Sequence, residues 1–298
     1  MKKSMLILIS GLVLLLSACK TNSNEMSHPE WESLWNGSDL SGWHTYFGVP
    51  HPTVDVEMDK DDEGNYTQAL GIDNDLLNIV TILNEDDAPA IRISGEVFGM
   101  IYTERSFENY HLKLQFKWGE KRYAPRANQK RDSGLLYHGF GEPGSAYTWM
   151  GSQELQIQET DLGDYWPVGP VEIDIPSKPL DSLYFIYDKD SPLRTYHFAE
   201  ILNTAVDDSL AKRRCFKNPD NERPNGEWND VELICMGDSS IHIVNGQVVM
   251  RLYNSKSVEN GVREKLTKGK ICIQSEGAEV FYRNFQIKPI DEIPEAYQ

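Results

Sequence analysis

The chain has 298 residues, of which 40% are hydrophobic, 10% aromatic and 25% charged, which excludes a disordered or collagen-like polymer and fits a folded domain. Its 46 acidic against 29 basic residues give a formal charge of −17, so a phosphate backbone would be repelled over most of the surface and nucleic-acid binding is excluded as a role. One domain, or two at most, suits this length.

Met1-Lys2-Lys3 precedes an apolar run from Met5 to Leu16 and then Leu16-Ser17-Ala18-Cys19. The run is too short to span a bilayer, and a basic start followed by small residues reads as an export signal. A cysteine directly after Leu-Ser-Ala resembles the bacterial lipobox, which implies cleavage before Cys19, lipidation of Cys19 and attachment to the cell envelope. Lys20, in place of an aspartate there, favours the outer membrane. Cleavage would remove Lys2 and Lys3 and take the charge two units lower, to −19. Residues 1–18 are therefore read as signal peptide, 19–30 as lipidated cysteine and polar tether, and 31–298 as a single domain.

Strand patterns dominate that domain. His111 to Trp118 alternates strictly, with Leu112, Leu114, Phe116 and Trp118 on one face. Similar short runs recur at 97–103, 134–138, 154–158, 184–187, 231–235, 241–244, 247–252, 271–274 and 280–287. Asn245-Gly246 between two of them is a hairpin turn, because both positions must tolerate positive φ. A helical pattern is confined to Glu200–Lys212, and 170–229 reads as long loops or an insertion. Many short strands without crossover helices predict an all-β fold, an antiparallel sandwich or jelly roll. Of the cysteines left after Cys19, Cys235 and Cys272 lie in apolar runs and suit buried thiols; Cys215 leaves the count odd.

Three groups could carry chemistry. In Glu154-Leu155-Gln156-Ile157-Gln158-Glu159 the apolar residues face the core, so Glu154, Gln156 and Gln158 form a row of carboxylate and amide groups suited to sugar hydroxyls. Gln274 and Glu276 repeat that signature on a second strand. In Asp132-Ser133-Gly134-Leu135-Leu136-Tyr137-His138, strict alternation would put His138 on the face of Asp132 and Gly134, where the glycine leaves room for a ligand. Just upstream, Lys117, Lys121, Arg122, Arg126, Lys130 and Arg131 form a basic stretch able to hold a developing oxyanion. Aromatic rings at Trp43, Tyr147, Trp149, Tyr165, Trp166 and Trp228 could pack on sugar faces or simply fill the core.

Trp35-Asn36-Gly37-Ser38-Asp39-Leu40-Ser41-Gly42-Trp43 resembles the opening of the 3-keto-disaccharide hydrolase family. Further matches follow in order: Asp132-Ser133-Gly134-Leu135, Glu154 to Glu159, Gly226-Glu227-Trp228-Asn229, Val244-Asn245-Gly246, Gly269 to Gln274 and Phe281-Tyr282-Arg283-Asn284-Phe285. Together they span about 31–290. The resemblance implies a concanavalin A-like jelly roll that cleaves glycosides carrying a ketone at C3, by elimination across C1–C2 and, in some members, rehydration. The ketone acidifies the C2 hydrogen, so a carboxylate or imidazole can remove it while cations or a metal hold the enolate. On that reading Glu154 is the base, His138 the partner acid and Arg131 the enolate support. Gln156, Gln158, Gln274, Glu276, Tyr137, Trp149, Trp166 and Asp132 bind the sugar. No cofactor is demanded; a divalent metal on His138 and Glu154 is the one candidate. Two alternatives stay open: a laminarinase-like glycosidase using Glu154 and Glu159, with Gln156 between them, and a non-catalytic carbohydrate-binding lipoprotein.

Overall fold

A computed structural model describes residues 30–198 and 213–298. The signal peptide, Cys19 and nearly all of the tether, together with the whole helical pattern at Glu200–Lys212, lie outside the described residues. In chain order the first strands are β1 (Glu32–Ser33), β2 (Trp43–Phe47), β3 (Gly71–Ile72), β4 (Val80–Glu85), β5 (Ala88–Ile93), β6 (Gly99–Thr103) and β7 (Tyr110–Arg122). There follow β8 (Asp132–Phe140), β9 (Gly151–Gln158), β10 (Tyr165–Val168), β11 (Val171–Pro179), β12 (Phe185–Tyr187), β13 (Leu193–His197) and β14 (Cys215–Phe216). The last are β15 (Asn229–Met236), β16 (Ser239–Val244), β17 (Gln247–Glu259), β18 (Val262–Lys265), β19 (Lys270–Ser275) and β20 (Ala278–Pro289).

These strands make the all-β sandwich that the alternation predicts. One layer runs β4-β5-β20-β7-β15-β16-β17. The other runs β3-β2-β6-β19-β8-β9-β10. Strand β11 ties the layers together, because its first half pairs with β17 and β13 and its second half with β12. All of these pairings are antiparallel; β12 and β14 add a short parallel one.

The alternating face of β7 does what its pattern requires. Leu112, Leu114, Phe116 and Trp118 are buried in one apolar cluster with Leu135 of β8, Leu155 and Ile157 of β9 and Ile273 of β19, so the core lies between the layers. Burying such side chains stabilises the fold by roughly 1.5–3 kcal/mol each. With Leu155 and Ile157 turned inward, Glu154, Gln156 and Gln158 must emerge on the outer face of β9, since side chains alternate with a period of two. Asn245 and Gly246 have φ of 49° and 79°, as a tight turn between β16 and β17 needs.

One expectation gains detail and another changes. Among its described residues the stretch 170–229 does carry long loops, but between them it also holds β11 to β14, although Pro176 and Pro179 in β11 weaken its strand signature. The face of His138 is also reversed. The pairing of β8 with β9 is interrupted between Tyr137 and Phe140, and His138 has φ of 54°. That bulge breaks the alternation and turns the imidazole inward, against the buried rings of Tyr137 at 5.4 Å and Tyr110 at 6.1 Å.

Cys215, Cys235 and Cys272 are all buried and unbridged, and burial pushes each thiol up to about 12. A reductant should therefore leave the melting temperature unchanged, and these thiols should react with Ellman's reagent only after unfolding. Rapid reaction of the native protein would contradict that burial.

Candidate functional site

The outer face of the second layer forms the floor of a cavity of about 1040 Å³. Strand β9 supplies Glu154, Gln156 and Gln158 at alternate positions, and β8 sets Asp132 and Gly134 beside them, with Asp132 opposite Gln158 and Gly134 opposite Gln156. Gln274 comes from β19, and Glu276 stands just beyond its end, before the turn at Gly277. Gly134 has a direct steric role. A β-carbon there would collide with the Glu154 carboxyl and the Gln274 amide, which close over the bare backbone from either side.

Arg126 completes the floor. It sits in the loop between β7 and β8, where its N–H donates to the Tyr123 carbonyl at 2.9 Å and its carbonyl accepts from the Gln129 N–H at 2.9 Å. Its guanidinium pairs with Asp132 and reaches Glu276 at 3.4 Å. Gln158 donates a hydrogen bond to the same Asp132 carboxyl.

One guanidinium is thus shared by Asp132 and Glu276, with Glu154 beside them unpaired, and the balance raises the affinity of all three for protons. Burial pushes Asp132 up to about 7 against the opposing pull of Arg126. Glu154 is raised well above the usual carboxylate range, first by burial and then by the charges of Glu276 and Asp132. Burial and the neighbouring Asp132 raise Glu276 in the same way. Several polar atoms around this floor also lack a partner among the described residues: Arg126 Nε, Asp132 Oδ1, Gln156 Oε1 and Gln274 Oε1, with Trp166 Nε1 and Arg213 Nε higher on the walls. Buried polar groups are normally paired, so a cluster of unpaired ones marks a place built to meet a polar ligand.

Eight residues singled out from the sequence line this cavity: Glu154, Gln156, Gln158, Gln274, Glu276, Asp132, Trp149 and Trp166. Three others do not. His138 is turned into the core as described. Tyr137 alternates inward, where its hydroxyl meets Ser240 Oγ at 2.9 Å and His242 Nε2 at 3.2 Å. Arg131 is engaged by Glu159 at 3.1 Å and donates from Nε to the Gly119 carbonyl at 3.0 Å. His138 and Glu154 consequently do not form a shared ligand pair, and among the described residues no group of three or more His, Cys, Asp or Glu is disposed to hold a metal ion.

Of the six cations of the basic stretch, Lys117 pairs with Glu85 and Asp86, Lys130 with Asp161, and Arg122 and Arg131 with Glu159; Lys121 is exposed, and only Arg126 of the six lines the cavity. Because Glu159 is held by those two arginines and by Asn225 outside the cavity, it is not the second carboxylate of a laminarinase-like pair with Glu154. Among the aromatic candidates Tyr147 lines the cavity, 75% exposed and 5.6 Å from Trp149. Trp43 and Tyr165 are core residues, and Trp228 stacks on Arg283 at 3.7 Å instead. The sequence reading gave no separate role to Arg126, Arg213, Phe198 or Arg263, all of which line the cavity. They lie in loops or at strand edges, where no periodicity tells which cation turns inward.

Residues 30–288 match the 3-keto-alpha-glucoside-1,2-lyase-like domain. Among solved structures, the chain is similar to a provisionally assigned glycosyl hydrolase from Parabacteroides distasonis, at 18% identity and a TM-score of 0.45 over 88% of this chain and 94% of that one. A protein of unknown function with a galectin-like fold from Bacillus subtilis gives 11% identity and a TM-score of 0.43, over 88% of this chain and 96% of the other. The Bacillus licheniformis beta-glucanase gives 8% identity and a TM-score of 0.37, with 89% of this chain and 100% of the enzyme covered. No curated protein matches.

Glu154 has no ion pair or hydrogen bond to lose, so its burial makes a prediction about stability. In the unfolded chain it ionises near pH 4.5, whereas in the folded protein it stays protonated to a higher pH. The stability it contributes is therefore complete below about pH 4.5 and lost as pH rises through the raised folded value. Replacing it by the neutral isostere, Glu154→Gln, should raise the melting temperature at pH 8 and change it little at pH 4. A difference that shrinks with rising pH would show that the carboxyl is not destabilised by burial.

Proposed function

The chain belongs to the 3-keto-alpha-glucoside-1,2-lyase-like family, and from that premise we propose that it cleaves the glycosidic bond of 3-keto-glycosides by taking the proton from C2 and expelling the group on C1. The elimination itself consumes no water; addition of water to the resulting enone makes the net reaction a hydrolysis. The observation that carries this reading is the set of buried carboxyls Asp132, Glu154 and Glu276 gathered around Arg126 on a floor of amides.

A proton beside a ketone is far more acidic than an ordinary C–H, yet a solvated carboxylate is too weak a base to remove it quickly. Burial strengthens the base. Glu154 stands on the cavity floor at the end of the polar row, with its proton affinity raised and no partner among the described residues competing for its oxygens. As the C2–H bond breaks, negative charge moves to the C3 oxygen. Arg126, whose Nε is buried and unpartnered, is the cation placed to receive that charge, a role which the sequence reading gave to Arg131. Gln156 and Gln274 offer buried acceptor oxygens without partners, matched to the O–H donors of a sugar. Gln158 holds Asp132 and thereby Arg126 in place. None of these steps requires an oxocarbenium-like sugar.

The lipoprotein reading of the N-terminus belongs to the same proposal: a signal peptide over 1–18, lipidation at Cys19 and a tether holding one catalytic domain at the bacterial cell envelope, on the outer membrane. A purely carbohydrate-binding role would leave the destabilising burial of three carboxyls without a purpose, since amides and aromatic rings suffice for binding.

For a base, the ionised form works, so kcat/KM should rise with pH through a carboxyl value well above 4.5. Glu154→Gln should lower turnover of a 3-keto-glucoside by about 10²–10⁴-fold, the usual worth of a general base. The measurement is aglycone release and enone absorbance followed together. Unchanged turnover in the variant, or equal cleavage of unoxidised glucans by the native protein, would overturn the assignment.

A further inference from the structure

The cavity has two chemically different ends, and strand β9 gives the scale between them. From Gln158 to Ser152 is six residues, roughly 20 Å at about 3.3 Å per residue, which is longer than one sugar ring. The amides, carboxyls and Arg126 occupy the Gln158 end, with Glu154 as their last member. Trp166 stands opposite Glu154 on β10, and Val168 opposite Ser152. Beyond Trp166 the walls are mainly apolar and aromatic, built by Tyr147, Trp149, Val168, Pro170, Phe198 and Val258, with Ser145, Asn260 and an Arg263 already engaged by Glu172 beside them.

With C2 held over Glu154, the hydroxyl-bearing ring lies toward the amides, because its O–H groups need partners and that end is the denser in them. The group on C1 is then directed across Trp166 to the apolar end. We infer that this group is an aromatic alcohol, so that the preferred substrates are 3-keto aryl glycosides; the inference rests on the elimination reading above. A flat ring can stack between Tyr147 and the wall with few hydroxyls to desolvate, whereas a second sugar would bury several against carbon.

The leaving chemistry agrees with the shape. The Glu154 carboxylate takes the C2 proton, the C–H electron pair forms the C1=C2 double bond, and the C1–O1 pair departs on the aryl oxygen as phenolate. The phenolate takes a proton from water and Glu154 returns its own to water, so no oxidant or co-reactant enters. A phenolate needs far less protonation than a sugar alkoxide. The donors that this wall offers such an oxygen are the Trp166 indole N–H, which is buried without a partner among the described residues, and the Arg213 guanidinium, which lies over the Trp166 ring at 5.9 Å.

The test compares the purified protein with Tyr147→Ala on two substrates, the 3-keto forms of phenyl glucoside and of a glucosyl-glucose disaccharide, each as both anomers. Tyr147 is 75% exposed, so its removal costs little of the core. Intrinsic leaving ability is the same for both proteins, and the change in the ratio of kcat/KM values therefore reports the wall alone. The native protein should favour the phenyl substrate at least tenfold, and Tyr147→Ala should reduce that preference about fivefold or more. Cleavage of both substrates with no phenyl preference, or with a preference the variant leaves intact, overturns the aryl assignment while the elimination reading stands. Cleavage of neither 3-keto substrate overturns both.

Discussion

The constraint on which the site depends is the burial of three carboxyls beside a single guanidinium. Ionised carboxylates are costly to desolvate, and one Arg126 cannot balance Asp132, Glu154 and Glu276 together. Burial therefore raises their affinity for protons, pushing Asp132 up to about 7 and Glu154 and Glu276 well above their ordinary range. The same imbalance weakens the fold and strengthens a base, so the least comfortable part of the structure is the part with chemical use.

That arrangement is imposed by the sandwich. Leu155 and Ile157 must enter the core, and a strand then has no choice but to present Glu154, Gln156 and Gln158 outward. Neighbouring β8 and β19 bring Asp132 and Gln274 to the same face through antiparallel register alone. Gly134 supplies the missing volume between them: with any side chain there, Glu154 and Gln274 could not both close over the strand. Among the described residues the core thus fixes the site through strands and their connections.

What could be read from residues follows the same physics. Alternation over β7, β8 and β9 was enough to place the core face and the polar row, because period two is a local property of the chain. It failed at His138, where one bulge with positive φ reverses the facing of a single residue and no composition signal marks the change. It was silent on which cation of the basic stretch turns inward. Arg122 and Arg131 are captured by Glu159, nearly thirty residues beyond Arg131, and only that distant pairing leaves Arg126 for the cavity. The hairpin of β4 and β5 also escaped notice, since its turn uses Asp86-Asp87, with φ of 50° and 61°, in place of a glycine.

The central claim is that Glu154 removes the proton from C2. It is tested most directly with a 3-keto-glucoside deuterated at C2, followed over times shorter than uncatalysed exchange. The account predicts that every aglycone released is accompanied by loss of the C2 deuterium to solvent, and that Glu154→Gln suppresses both together. Release of the aglycone with deuterium retained at C2 would contradict it.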